Sequence, residues 1–252
     1  MSKVAAIVQV RMGSTRLPKK VLNDIVGKPM LWHVINRVKK AKLIDEIIIA
    51  TTIEDEDEII AKWAKNNNLK CYRGSAEDVL DRYYQVAKKN KVDIIVRITS
   101  DDPLKDPEII DKVIKFYLDN RINLDFVSNA IKPTYPEGLD VEVFSFNAFK
   151  RAWKEAKKKS EREHVTPYMR DHPDKFRLAN IAKEGENLSH LRWTVDYPED
   201  LEFTREVYKR LYKEDKVFLM GDILDLLKKH PELSKINEGH IRYEGYLKSL
   251  RE

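Results

Sequence analysis

Short β-branched runs alternate with longer segments of helical period through the first half of the chain, and this rhythm limits the fold more than any other feature. VAAIVQV (4–10), EIIIATT (46–52), DIIVRIT (93–99) and DFVSN (125–129) read as strands. The first and third are nearly continuous apolar runs, as expected of strands covered on both faces of a parallel sheet. Between the runs, Leu31, Val34, Ile35 and Val38 recur at helical spacing after Pro29, which suits a first helical turn. Ile59, Ile60 and Trp63 mark a second helix, with acidic EDEDE (54–58) at the end where the helix dipole favours carboxylates. Val79, Leu80 and Tyr83 mark a third helix, and Ile109, Ile110, Val113, Ile114 and Tyr117 a fourth that Pro107 starts. Strand–helix alternation of this kind predicts an α/β layered domain.

After residue 130 the rhythm changes. GLDVEVFSF (138–146) reads as a strand, a Lys-rich helix follows to about 159, and SEREHVTPYMRDHP (160–173) is polar. FRLANI (176–181) and LRWTV (191–195) read as further strands. A helix from Pro198 to about Tyr212 and a short one from about Asp222 close the pattern. Without repeats or a low-complexity linker, the expectation is one domain over 1–252, with an inserted or dimer-forming subregion at roughly 130–190.

Several function classes can be set aside. Cys71 is the only cysteine, which excludes an intrachain disulfide and a cysteine metal cluster and points to a reducing compartment. The N-terminus does not resemble a signal peptide, and no run approaches the roughly 18 apolar residues of a membrane span. A cytoplasmic protein without a membrane partner is therefore expected. The net charge of +5 suits nucleic acid, an anionic surface or a polyphosphate ligand about equally. KEAKKK (154–159) reads better as a solvated helix face than as a nucleic-acid patch, so no nucleic-acid partner is expected. The six histidines show no metal-ligand spacing, and no G-x-S-x-G elbow is present.

Three constellations carry chemistry. The loop RMGSTRLPKK (11–20) follows a strand expected to be buried, where α/β proteins place ligands. Gly13 permits close backbone approach, and Ser14 and Thr15 offer donors. Arg11, Arg16, Lys19 and Lys20 suit a triphosphate, although the loop is neither a Walker A nor a dinucleotide fingerprint. A solvated basic loop is the alternative. The second constellation, TSDDPLKDPE (99–108), also follows a buried run. Its carboxylates suit Mg²⁺, which shares its remaining sites with phosphate and water; a turn before a capped helix is the alternative. The third, LRWTVDYPEDLEF (191–203), places Asp196 at a strand end facing the cleft, with Glu199 and Asp200 as helix-start residues. Asp101, Asp196 and the cationic loop together make a metal-assisted phosphoryl-transfer site.

Taken in order, RMGSTRLPKK, SDDPLKDPE, GLDVEVF, SEREHVTPY and LRWTVDYPEDLEF resemble the cytidylyltransferase family, which includes the 3-deoxy-manno-octulosonate and acylneuraminate cytidylyltransferases. The nearest branch looks like the spore coat polysaccharide biosynthesis protein F group. The match runs from about 4 to 212, and the last 40 residues add nothing to it. The resemblance implies a glycosyltransferase-A-like, three-layer α/β sandwich with a mostly parallel sheet. It also implies transfer of CMP from CTP to a sugar or sugar-acid acceptor, with Mg²⁺ as cofactor and a homodimer as the assembly. The family pattern R-x-G-S-x-R-L-P-G-K carries over to Arg11, Gly13, Ser14, Arg16 and Lys20 around the phosphates, with Lys19 in place of the usual glycine. The metal-binding aspartates carry over to Asp101 and Asp196, and Thr194 stands where some members have a further aspartate. Thr51, Ser75 and Arg82 fall where the nucleoside pocket is expected, and Asp140, Glu142, Glu163 and His164 on the acceptor side. For Glu163 and His164 a helix or dimer-interface role is the alternative. A nucleotidyltransferase using another base, a glycosyltransferase, and a non-catalytic nucleotide-binding protein are the competing functions.

Overall fold

Seven strands form one central sheet in the order β5-β4-β1-β6-β8-β7-β9. They are β1 (Val4–Gln9), β4 (Glu46–Thr52), β5 (Lys70–Gly74), β6 (Ile94–Thr99), β7 (Phe126–Ser128), β8 (Glu142–Ser145) and β9 (Leu178–Asn180). A separate two-stranded ribbon pairs β2 (Asp24–Ile25) with β3 (Lys28–Pro29). The structure, a computed structural model, describes residues 2–14 and 16–250. β8 runs antiparallel to both of its neighbours, and all other pairings in the sheet are parallel.

Ten α-helices flank the sheet among the described residues: α1 (Met30–Val38), α2 (Glu58–Asn66), α3 (Val79–Lys89), α4 (Pro107–Asn120), α5 (Phe146–Glu155), α6 (Lys159–His164), α7 (Pro167–Arg170), α8 (Pro198–Leu211), α9 (Met220–Lys229) and α10 (Glu244–Ser249). Alternation along β1 explains the layering. Val4, Ala6 and Val8 enter one core with the apolar faces of α1, α2, α4, α8 and α9. Ala5 and Ile7 point the opposite way, into a second core with α3, α5 and α7. A strand with a core on each face must be apolar at every position, and this one is.

The strand order positions the site. From β1 the chain builds outward to β4 and β5, then returns to place β6 on the other side of β1. This reversal opens a crevice beyond the carboxyl ends of β1 and β6, the usual ligand position in open α/β sheets.

Some expected elements differ. The segment 191–195 is not a sheet strand: it forms only an isolated bridge, Glu137 with Arg192. Its strand-like pattern comes from Trp193 and Val195, which are buried, while its backbone bonds run to Glu137 and Asp101. The strand expected over 138–146 is confined to β8, because Gly138 takes a φ of +101° that no pleated strand adopts. The Lys-rich helix stops at Glu155, and the polar stretch after it folds into α6 and α7. Residues 130–190 supply β8, α5, α6, α7 and β9, so two of their elements belong to the central sheet. No described helix is long and apolar enough to cross a membrane.

Candidate active site

A cleft of about 560 Å³ opens at the crevice between β1 and β6. Gln9, Arg11, Gly13, Lys20, Asp101, Gly138, His164, Asp196 and Tyr243 are among the lining residues, so distant parts of the chain converge there.

The loop after β1 is held from below. The Met12 side chain is buried, and its N–H donates to Asp57 Oδ1 at 2.6 Å. Asp57 also accepts from the Thr52 N–H at 3.3 Å and from the Thr52 hydroxyl. The acidic run before α2 therefore includes a buried anchor for the loop as well as charges at a helix start. Lys19 then takes a left-handed conformation, φ 56° and ψ 24°, which turns the chain into a short 3₁₀ turn at Lys20–Leu22. Glycine adopts that conformation without Cβ crowding, which accounts for glycine being usual at this position of the pattern.

That turn delivers Lys20 to the two aspartates. Its Nζ lies 3.0 Å from Asp101 Oδ2, 2.8 Å from Asp196 Oδ1 and 2.9 Å from the Val195 carbonyl. Arg16 reaches the same Asp196 oxygen at 2.9 Å. Burial pushes the Asp196 carboxyl up, but Lys20 and Arg16 outweigh it and hold the group at about 2. Lys20 is raised in turn: burial opposes its charge, and the two aspartates overcome that.

Neighbouring groups fix Asp101 and Asp196 in place. The Val195 N–H donates to the Asp101 carbonyl at 2.8 Å, tying the two aspartate segments together. Arg192 is buried; its Nε donates to Asp200 Oδ1 at 2.9 Å and its Nη1 to Glu137 Oε2 at 2.8 Å. Asp200 Oδ2 accepts from the Asp196 and Tyr197 N–H groups at 2.9 and 3.0 Å, so the expected helix-start residue also fixes the backbone of Asp196. The three aspartates of 99–108 divide their work. Asp101 faces the cleft, Asp102 is buried against Lys105 at 2.8 Å and the Thr99 hydroxyl at 2.6 Å, and Asp106 caps α4. The motif thus supplies both a helix cap, Asp106, and a carboxylate at the cleft, Asp101.

Arg11 and Arg82 supply unpaired positive charge, since neither forms an ion pair with a described residue. Arg82 is 2% exposed, lines the cleft, and donates Nη1 to the Ser75 carbonyl at 2.9 Å. Burial lowers its pKa, and Arg11 lowers it further. A buried guanidinium facing a cavity without a carboxylate partner favours an anionic or electron-rich ligand.

Of the other expected residues, Gly13 and Ser14 line the cleft, whereas Thr15 lies outside the described residues. Thr51 is buried within β4, away from the lining, and the Ser75 hydroxyl is taken up by the Asp78 N–H at 3.0 Å beside the start of α3. All four acceptor-side residues line the cleft. Glu142 is held by Arg97 at 2.7 Å and by the Thr166 hydroxyl at 2.9 Å. Between His164 and Thr166, Val165 stands at φ 75°, a strained turn for a β-branched residue.

A C-terminal strap that no periodicity announces borders the cleft beside Asp140 and His164. Tyr243, Glu244, Tyr246 and Ser249 line the cleft from the last described residues. Arg242 pairs with Asp140, and the Tyr243 N–H donates to Glu137 Oε1 at 3.1 Å. The Ser249 hydroxyl lies 2.9 Å from His164 Nε2, and the Tyr246 ring meets the His164 ring edge-on at 5.1 Å. Burial and the cations Arg97, Arg170 and Arg11 lower His164 to about 4, so it is neutral at pH 7.

The described residues contain no group of three or more acidic, histidine or cysteine side chains suited to a metal. The pair Asp101 and Asp196 nevertheless fits Mg²⁺, which commonly takes one or two protein carboxylates and completes its octahedron with phosphate oxygens and water. Both carboxylates already hold one cationic nitrogen between them.

A cytidylyltransferase family model matches residues 5–228. An uncharacterized protein of Methanocaldococcus jannaschii is 39% identical over 97% of this chain and 98% of its own length. The spore coat polysaccharide biosynthesis protein SpsF of Bacillus subtilis is 31% identical over 94% of this chain and 99% of its own length. Among solved structures, a cytidylyltransferase from Leptospira borgpetersenii superposes with a TM-score of 0.89 at 31% identity, covering 96% of this chain and 100% of that one.

Proposed function

Because the chain belongs to the cytidylyltransferase family, we propose that it transfers CMP from CTP to a sugar or sugar-acid acceptor and releases pyrophosphate. The observation that carries the proposal is the junction of Lys20, Arg16, Asp101 and Asp196, in a cleft that also holds Arg11 and Arg82. Cations and paired carboxylates at the strand ends suit a triphosphate and its counterion.

In the reaction an acceptor oxygen attacks the α-phosphorus in line. The new oxygen–phosphorus bond forms as the α–β bridging bond breaks, pyrophosphate departs with that electron pair, and the acceptor proton is released. Arg11, Arg16 and Lys20 bind the phosphates and stabilise charge that moves toward the leaving group. Asp101 and Asp196 would hold Mg²⁺, which when bound neutralises charge on the phosphate oxygens. Arg82 contributes from the nucleoside side, and Asp140, Glu142, Glu163 and His164 orient acceptor hydroxyls at the cleft mouth. A role in surface polysaccharide or glycoconjugate assembly is supported by the kinship with the Bacillus spore coat protein.

The test is pyrophosphate release with CTP, UTP, ATP and GTP across nonulosonic acids, phosphorylated sugars and smaller hydroxy acids, with Mg²⁺ present. CTP is expected to be used. Lys20→Ala and Asp101→Ala should each lower turnover roughly 10²–10³-fold, the loss typical of one preorganised charge-stabilising group. No turnover with CTP on any acceptor, or two variants as active as the parent, would overturn the proposal.

A further inference from the structure

An ammonium group has three donors, and in Lys20 all three are in use. Its acceptors are Asp101 Oδ2, Asp196 Oδ1 and the Val195 carbonyl, at 3.0, 2.8 and 2.9 Å. The side chain is 11% exposed, so the arrangement is largely withdrawn from water. Lys20 thus occupies the point from which one cation can touch both carboxylates. A divalent ion at that point would need carboxylate oxygens at about 2.0–2.1 Å, closer than the nitrogen now holds them. Ion and ammonium therefore cannot share the position.

Charge also excludes the free ion. The two carboxylates are balanced by Lys20 and Arg16, with Arg192 a further 3.4 Å from the second Asp196 oxygen. Adding a dication to a pair already neutralised leaves a net positive cluster in a half-buried site, whereas a polyphosphate arriving with it restores the balance. Nearby, Arg11 and Arg82 form no ion pair with a described residue and can meet incoming phosphates first. Lys20 directly follows the left-handed Lys19 at the start of the 3₁₀ turn, and the rotatable bonds of its four-carbon stem let the ammonium swing from aspartate to phosphate.

We infer that Lys20 is a resident cation that bars divalent metal from Asp101 and Asp196 until a polyphosphate draws it away, so that metal and polyphosphate enter together. The inference rests on the metal-assisted reading of the two aspartates but on neither CTP nor an acceptor. Mn²⁺ is the probe, followed by its electron paramagnetic resonance signal and by calorimetry on the full chain. Wild-type protein is expected to take up no Mn²⁺ at this pair when the metal is added alone. With inorganic tripolyphosphate present it should bind Mn²⁺ more tightly than tripolyphosphate alone does, and Asp196→Asn should abolish that enhancement. Lys20→Met should take up Mn²⁺ without tripolyphosphate, saturating at concentrations roughly 100-fold below those at which the wild type still takes up none, as expected when one cation is removed from contact. Saturable binding of Mn²⁺ alone to the wild type at a site that Asp196→Asn removes would overturn the inference, whether or not Lys20→Met folds. Failure to turn over CTP would leave these binding results standing, so the two proposals fail separately.

Discussion

Two residues outside the cleft lining, Lys19 and His33, hold unusual states that can be tested directly. Lys19 is left-handed, and its side chain is exposed, so the cost is in the backbone alone. Removing the Cβ relieves about 1–2 kcal/mol of crowding and gives back about 0.5–1 kcal/mol through the greater freedom of unfolded glycine. Lys19→Gly should therefore be neutral to about 1 kcal/mol more stable in urea, and Lys19→Val clearly less stable. His33 is 2% exposed, with Nε2 2.7 Å from the Ile25 carbonyl and its ring 4.3 Å from that of Tyr208. Burial and then Arg37 lower its pKa to about 4. A histidine kept neutral by folding costs nothing above its unfolded value. Stability then falls as pH drops from about 6.5 toward 4, because the unfolded chain takes up the proton first. Between pH 7 and 5 the loss assigned to His33 is about 2 kcal/mol. His33→Gln should show that much less acid sensitivity in its denaturation midpoints.

At the scale of elements, the aspartates depend on how α8 and the connection into β8 meet. Gly138, at φ +101°, lies against the backbone of residues 193–194, and a Cβ there would stand 2.7 Å from the Trp193 carbonyl carbon and 2.8 Å from the Thr194 nitrogen. Neither backbone atom can yield without moving the segment that carries Asp196. Gly138→Ala should cost roughly 2–4 kcal/mol through strain and overpacking, and should lower turnover in the protein that still folds. Melting temperature and turnover measured on one preparation check both outcomes. The reversed direction of β8 matters here too. Its register sets Glu142 opposite Arg97 of β6, so the residues just before β8 reach the same cleft as the residues just after β6.

Over the whole molecule, strand and helix placement was readable wherever burial imposed a period. β1 and β6 were plain because both of their faces are covered. β5 leaves no apolar run to read, because it is an edge strand whose Lys70 and Cys71 face solvent. The false strand at 191–195 shows the opposite failure, since burial of alternate residues made a strand pattern without a strand partner. Lys20, Asp101 and Asp196 could be matched because each ends or follows a recognisable run. Asp57, Arg192 and Arg242 act on other residues rather than on a ligand, so no spacing announced them. The strap is legible only in three dimensions, where polar residues of an aperiodic segment meet Asp140 and His164. The solitary thiol on β5 has a practical consequence. Cys71 pairs with Ile49 near the start of β5, two strands outboard of β1, and it does not line the cleft. The chain thus carries a unique attachment point for a fluorophore or spin label without a prior round of cysteine removal. The residue is exposed, yet its sulfur is partly covered at the sheet edge, and that desolvation raises the thiol to about 11; conjugation therefore needs alkaline buffer, and a dye placed there can report on the protein while the crevice stays free.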